Sequence, residues 1–168
     1  IRYTLDGSPP SPDSAIYTEP LPVTETTVLR AQGFLDGHVT TGIETRTYLI
    51  GEPFTFPVVS LSTDPDHLWD PDLGMYTAGR NARESQRIAN YWNDWERPVH
   101  VEFFEPDGRR GFELDAGLQI FGWGSRANPQ KSLAIMMRNR YGVNGVDHPL
   151  FPGSRVGEFS SFVLRAAG

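Results

Sequence analysis

Apolar and polar positions along this chain fall into short runs of period two, separated by turn signals, and that pattern predicts strands rather than long helices. Over residues 1–49 the runs are Tyr3-Thr4-Leu5, Ile16-Tyr17, Val28-Leu29-Arg30-Ala31 and Thr45-Arg46-Thr47-Tyr48-Leu49. Asp6-Gly7-Ser8-Pro9-Pro10 and Asp36-Gly37 punctuate them, the second just after Phe34. Four or five strands with turns between them predict an antiparallel sandwich, short of the roughly seven strands of an immunoglobulin-like one. The expectation is a truncated immunoglobulin/fibronectin-like sandwich over 1–49, its remaining strands lying before Ile1.

Gly51-Glu52-Pro53 marks a linker, taken as 50–56, and a second β-rich unit is expected over 57–168. It opens with a strand at Val58-Val59-Ser60-Leu61. Asp64-Pro65 then offers a cap and a proline at the first helical position, predicting a short helix through Trp69. Residues 71–96 are polar and read as a long excursion. Within it Ile88, Tyr91, Trp92 and Trp95 stand at i, i+3, i+4 and i+7, a spacing that predicts a helical segment. From Arg97 the period returns to two, with Val99, Val101 and Phe103 alternating against His100, Glu102 and Phe104. Pro106-Asp107-Gly108 makes a hairpin turn. Phe112, Leu114, Leu118 and Ile120 follow, then a glycine-bearing loop at 122–130, then Leu133, Ile135 and Met137. Both ends read as strand cut short, Ile1-Arg2-Tyr3-Thr4 at the start and Phe162-Val163-Leu164-Arg165 before Gly168, so a piece of a longer protein is expected.

Composition narrows the function classes. Glycine and proline together make up 31 of 168 residues, which suits a turn-rich β protein. A formal charge of −6 argues against a nucleic-acid partner, which calls for a basic footprint. Cysteine is absent, which excludes disulfides, thiolate metal sites and a cysteine nucleophile. No apolar run reaches the roughly 18 residues of a transmembrane segment. The cations are 14 arginines and one lysine, Lys131. A lone ammonium among guanidiniums reads either as a place where a compact point charge serves and a planar fork does not, or as the chance survival of one surface lysine.

That lysine stands seven residues past Gly124, at the start of a strand. The loop before it, Gly122-Trp123-Gly124-Ser125-Arg126, can turn tightly and present backbone N–H groups to an anion. Ser125 and Arg126 add a hydroxyl and a second cation. The layout departs from a Walker A loop, since its spacing is missing and a strand follows. It is nearer the strand–glycine loop–strand of kinases, in which a strand lysine pairs with nucleotide phosphates. Other candidates carry less. Asp64, Asp66, Asp70 and Asp72 lack the glycine and glutamate of a calcium loop and read as caps and turns. His38, His67, His100 and His148 have no zinc-ligand spacing. Glu102, Glu113 and Asp115 read as carboxylates on a solvated strand face. Trp69, Trp92 and Trp95 read as cover for a small β core, with Trp123, between glycines, the best placed to stack on a sugar.

Two segments carry family resemblances. Tyr3-Thr4-Leu5-Asp6-Gly7-Ser8-Pro9-Pro10, with Thr26-Thr27-Val28-Leu29-Arg30-Ala31, resembles the β-sandwich domain at the C-terminal end of chitobiases and hexosaminidases. Residues 57 to the end resemble the start of the spore coat protein H (CotH) kinase family. That likeness rests on Pro57-Val58-Val59-Ser60-Leu61, Asn90-Tyr91-Trp92-Asn93-Asp94-Trp95-Glu96-Arg97-Pro98, Val101-Glu102-Phe103-Phe104, the Gly122–Arg126 loop and Gln130-Lys131-Ser132-Leu133. It implies the N-terminal part of an atypical protein-kinase-like domain that uses ATP with Mg²⁺ or Mn²⁺ to phosphorylate protein hydroxyls. It implies further that Gly122, Gly124, Ser125, Arg126 and Lys131 hold the nucleotide, and that the catalytic and metal-binding carboxylates lie beyond Gly168. A bacterial extracellular or cell-surface location, with a protein substrate or surface component as partner, follows from the same likeness. The alternative is a non-catalytic adhesion or carbohydrate-binding protein built from β modules.

Overall fold

A computed structural model describes residues 1–51, 53, 55–83, 87–151 and 153–166. The centre of the expected linker, Glu52, lies outside the described residues, as do three residues of the 71–96 excursion. The fold is mainly β, built of antiparallel sheets with almost no helix. Two compact units divide the chain. The first comprises Ile1–Asp64 and Glu102–Gly111, the second Pro65–Val101 and Phe112–Gly168.

In the first unit, β1 (Arg2–Thr4), β2 (Ala15–Ile16), β3 (Thr27–Gln32) and β6 (Glu44–Tyr48) form a sheet in the order β2-β1-β3-β6. Each pairing is antiparallel, with Tyr3 opposite Ala31 and Leu29 opposite Arg46. The turn after β1 is held by Asp6, whose carboxylate accepts from the Ser8 N–H at 3.0 Å and the Ser8 hydroxyl at 2.6 Å. Those two bonds hold the Asp6 carboxyl below its ordinary range. Arg30 reaches from β3 to the Gly7 carbonyl at 2.9 Å and pins the same turn. β4 (Phe34–Leu35) and β5 (His38–Val39) make a tight hairpin on Asp36-Gly37, both with positive φ. That backbone matches the right-handed twist of the flanking strands.

The remaining long strands are β7 (Val58–Ser62), β8 (Glu96–Phe104), β9 (Arg110–Phe121), β10 (Ser132–Met136) and β13 (Ser161–Leu164), in the sheet order β13-β10-β9-β8-β7. β11 (Val146–Asp147) and β12 (Glu158–Phe159) pair separately. The hairpin between β8 and β9 turns at Asp107-Gly108, where the Gly108 N–H bonds the Glu105 carbonyl at 2.9 Å. The core of the second unit gathers Val99, Val101, Ala116, Leu118, Ile120, Ala134, Ile135 and Met137, the inward positions of its strands. Met75 and Tyr91 join it from the connecting segments.

Three sequence expectations need correction. The helix α1 (Asp66–Trp69) is a single turn with Pro65, itself helical in φ and ψ, at the cap position expected for Asp64, and no side chain caps it. The segment around Tyr91 is a single 3-10 turn, Asn90–Trp92, not a longer helix. Ile88 pairs with Arg83 in a β-bridge and Asn93 turns extended, so the apolar spacing never closes into successive turns. Glu102, read as solvated, is 1% exposed. Its carboxylate accepts from the Thr47 N–H at 2.8 Å and from Arg110 Nη1 at 3.2 Å.

Candidate functional site

The candidate nucleotide residues occupy the ten-residue connection from β9 to β10, which begins and ends at the paired positions Phe121 and Ser132. Gly122 opens it with φ 112°, and the Ser125 hydroxyl lies where a side chain at 122 would stand. Only glycine satisfies both conditions. Gly124 begins a 3-10 turn, Gly124–Ala127, and differs in kind. Its φ lies outside the left-handed region and nothing comes within 4 Å of the place a Cβ would take. Neither backbone nor packing asks for glycine there; what its absence of side chain leaves is open access to the loop.

Two cations hold this loop from within. Arg126 donates from Nε to the Gly122 carbonyl at 2.8 Å and from Nη1 to the Trp92 and Asn93 carbonyls at 3.2 and 3.3 Å. Its Nη2 reaches the Asp94 carboxylate at 2.7 Å. One guanidinium fork thus joins two stretches far apart in sequence, which suits its rigid set of donors. Lys131 is only 6% exposed. Its ammonium donates to the Arg126 carbonyl at 2.6 Å and the Asn128 carbonyl at 2.9 Å. It also sits 4.4 Å from the Tyr91 ring centre and 5.5 Å from that of Tyr76. Aromatic faces and carbonyl oxygens replace the water that burial removes. The Tyr76 hydroxyl is pushed up by burial, an effect partly offset by its bond to the Lys131 backbone.

Beside the loop opens a cleft of about 450 Å³, lined by Ser125, Asn128, Pro129, Gln130, Ser132, Arg165 and Ala166. It holds two hydroxyls, two amides and one cation, and no carboxylate. Ser125 therefore faces it, while Arg126 and Lys131 are engaged in shaping the loop. Arg165, which the sequence reading passed over as the end of a strand, supplies the charge at its wall.

Residues 1–45 match the chitobiase/beta-hexosaminidase C-terminal domain family. The match covers β1 to the start of β6 and stops well before the Gly122–Lys131 loop. No curated protein and no solved structure matches the chain.

Sequence reasoning missed a second polar pair. His100 Nδ1 lies 2.8 Å from the Asp115 carboxylate, while its Nε2 is buried with no partner among the described residues. Trp123 is 73% exposed, with the Arg87 guanidinium 4.4 Å over its ring. Trp69 is exposed as well, so that ring does not cover the core as expected. Among the described residues no three histidine, aspartate or glutamate side chains gather as a metal site. The described residues therefore build no cage for Mg²⁺ or Mn²⁺. No helix among them is long and apolar enough to cross a membrane.

Proposed function

We propose that the second unit holds nucleotide phosphates at the Gly122–Lys131 loop, as the N-terminal part of a CotH-like kinase that phosphorylates protein hydroxyls outside the cell. The observation that carries this reading is the joining of two motif segments by Arg126. The Asn93-Asp94 stretch and the Gly122–Gln130 loop, each part of the CotH likeness, meet through that one side chain. Lys131 then acts as a fixed charge beneath the loop, held by the loop's own carbonyls. Losing those charge-assisted bonds releases the loop from its binding shape, at about 1.5–3 kcal/mol. Lys131→Ala accordingly weakens ATP binding roughly 10- to 150-fold. Lys131→Arg restores it only in part, because a planar fork does not fit a place shaped for an ammonium. Calorimetric titration of the 168-residue chain with ATP, with circular dichroism to confirm folding of each variant, tests this. Equal affinity in all three proteins, or no saturable binding by the parent sequence, overturns it.

The exposure of Trp123 favours a second reading, a carbohydrate-binding surface module, which accords with the chitobiase-type match at residues 1–45. Tryptophan fluorescence during titration with chito-oligosaccharides separates the two: a saturable change lost in Trp123→Ala supports the module, and an unchanged spectrum removes it.

A further inference from the structure

The cleft beside the loop has a chemical character of its own. Its seven lining residues include one cation and no carboxylate, in a chain whose formal charge is −6. At other cleft walls Arg87 lies over the Trp92 and Trp123 rings, and two further arginines are neutralised. Arg80, at a smaller cleft near Asn90, is paired to Asp72 at 3.0 Å, and Arg138, at another beside Met136, to Glu96 at 3.1 Å. Arg165 has neither an ion pair nor a side-chain hydrogen bond among the described residues.

Its position is nevertheless well fixed. Leu164 stands opposite Leu133 in the antiparallel β10–β13 pair, which brings Arg165 level with Ser132. The next residue is tied down too, since the Ala166 N–H donates to the Ser132 hydroxyl at 3.1 Å. The guanidinium therefore stems from a backbone anchored on both sides, at the wall of a cleft whose other polar groups are the Ser125 and Ser132 hydroxyls and the amides of Asn128 and Gln130. The loop opposite is held in shape by Arg126 and Lys131, so these donors are largely arranged before any ligand arrives. A volume of about 450 Å³ falls in the range of small-molecule sites.

We infer that this cleft is an oxyanion site for a polyphosphate chain, with Arg165 as its ligand-contacting cation and Ser125 and Gln130 as neutral donors. Planar guanidinium donors match phosphate oxygens in pairs, and hydroxyl and amide groups complete such a site without adding repulsion. The inference deepens the nucleotide reading above: it names where the phosphates sit and moves their direct contact from Lys131 to Arg165. Inorganic tripolyphosphate shares that chemistry without a base or sugar, so it tests the site apart from the nucleotide.

The experiment is calorimetric titration of the 168-residue chain with tripolyphosphate and, separately, with ATP, at low and moderate salt. Arg165→Gln removes the charge from a side chain that bonds to nothing described, so folding is retained. Arg155→Gln removes an exposed arginine outside the cleft and controls for net charge. The expected result is saturable binding of tripolyphosphate, weakened about tenfold or more by Arg165→Gln and unchanged by Arg155→Gln. If ATP binds with equal affinity to the parent chain and to Arg165→Gln, the cleft assignment is wrong while the nucleotide reading stands. If tripolyphosphate binding depends on Arg165 and ATP does not bind, the oxyanion site stands and the nucleotide reading falls. If neither binds, both are overturned, and so is the cleft assignment if the two arginine variants weaken binding equally.

Discussion

Glu102 shows how one side chain can be misplaced by a correct strand. Val99, Val101 and Phe103 alternate with polar neighbours, and alternation ordinarily means one wet face. Yet every position from Val101 to Phe104 is buried, so this part of β8 is covered on both faces. Phe104, of the same parity as Glu102, carried the hint. Once buried, the carboxylate needs partners, and the Thr47 N–H and Arg110 supply them. Glu102→Ala leaves that N–H without its acceptor and should cost about 1–3 kcal/mol. Glu102→Gln keeps an oxygen for Thr47, loses only the charge opposite Arg110, and should cost less. Urea unfolding followed by tryptophan fluorescence gives both values; an unchanged midpoint for the alanine variant would show that the buried carboxylate contributes nothing net.

At the scale of elements, the strands were legible because each had β-branched or aromatic runs bounded by Gly, Pro or Asp. β3, β6, β7 and β10 sit within a residue or two of their expected places. The Asn90–Trp92 turn was not, and the reason lies in its asparagines. Asn90 directs its amide to the Pro71 and Gly74 carbonyls and the Thr77 hydroxyl, each at 3.1 Å. A side chain that gathers three acceptors from the 71–77 loop orders that loop more than it extends a helix. Likewise the Asp70 carboxylate takes the N–H groups of Asp72 and Leu73, which hold its pKa below the ordinary value. Of the aspartates in this region Asp70 is turn chemistry, as its spacing suggested, whereas Asp72 pairs with Arg80 at 3.0 Å. Removing the hub tests it. Asn90→Ala should raise amide exchange at Gly74, Met75 and Tyr76 by about tenfold or more, since three bonds are lost at a partly buried site. Protection confined to its original level would mean that the loop is ordered by the Met75 side chain alone.

Over the whole molecule, composition and site chemistry meet on charge. An acidic chain that binds a polyphosphate must do so where its carboxylates are absent, and the cleft beside the β9–β10 loop has none in its lining. The sequence pointed to this loop through its glycines and its single lysine. It did not reveal that Arg126 and Lys131 turn inward, because the direction of a side chain in an irregular loop depends on carbonyls that only the folded backbone positions. Phosphoryl transfer asks for more than a phosphate site: carboxylates must hold the metal and position the attacking hydroxyl. The described residues bring no such group together. His100 and Asp115 form a dyad but accompany no second carboxylate in a metal cluster. The 168-residue chain should therefore bind ATP without transferring its γ-phosphate. Incubation with labelled ATP, Mn²⁺ or Mg²⁺ and a protein acceptor is the check, with Lys131→Ala as the control for contaminating kinases. Metal-dependent labelling by the parent chain and not by the variant would show that the chain carries its own catalytic set. Labelling by neither, alongside measurable ATP affinity, would separate nucleotide capture from phosphoryl transfer.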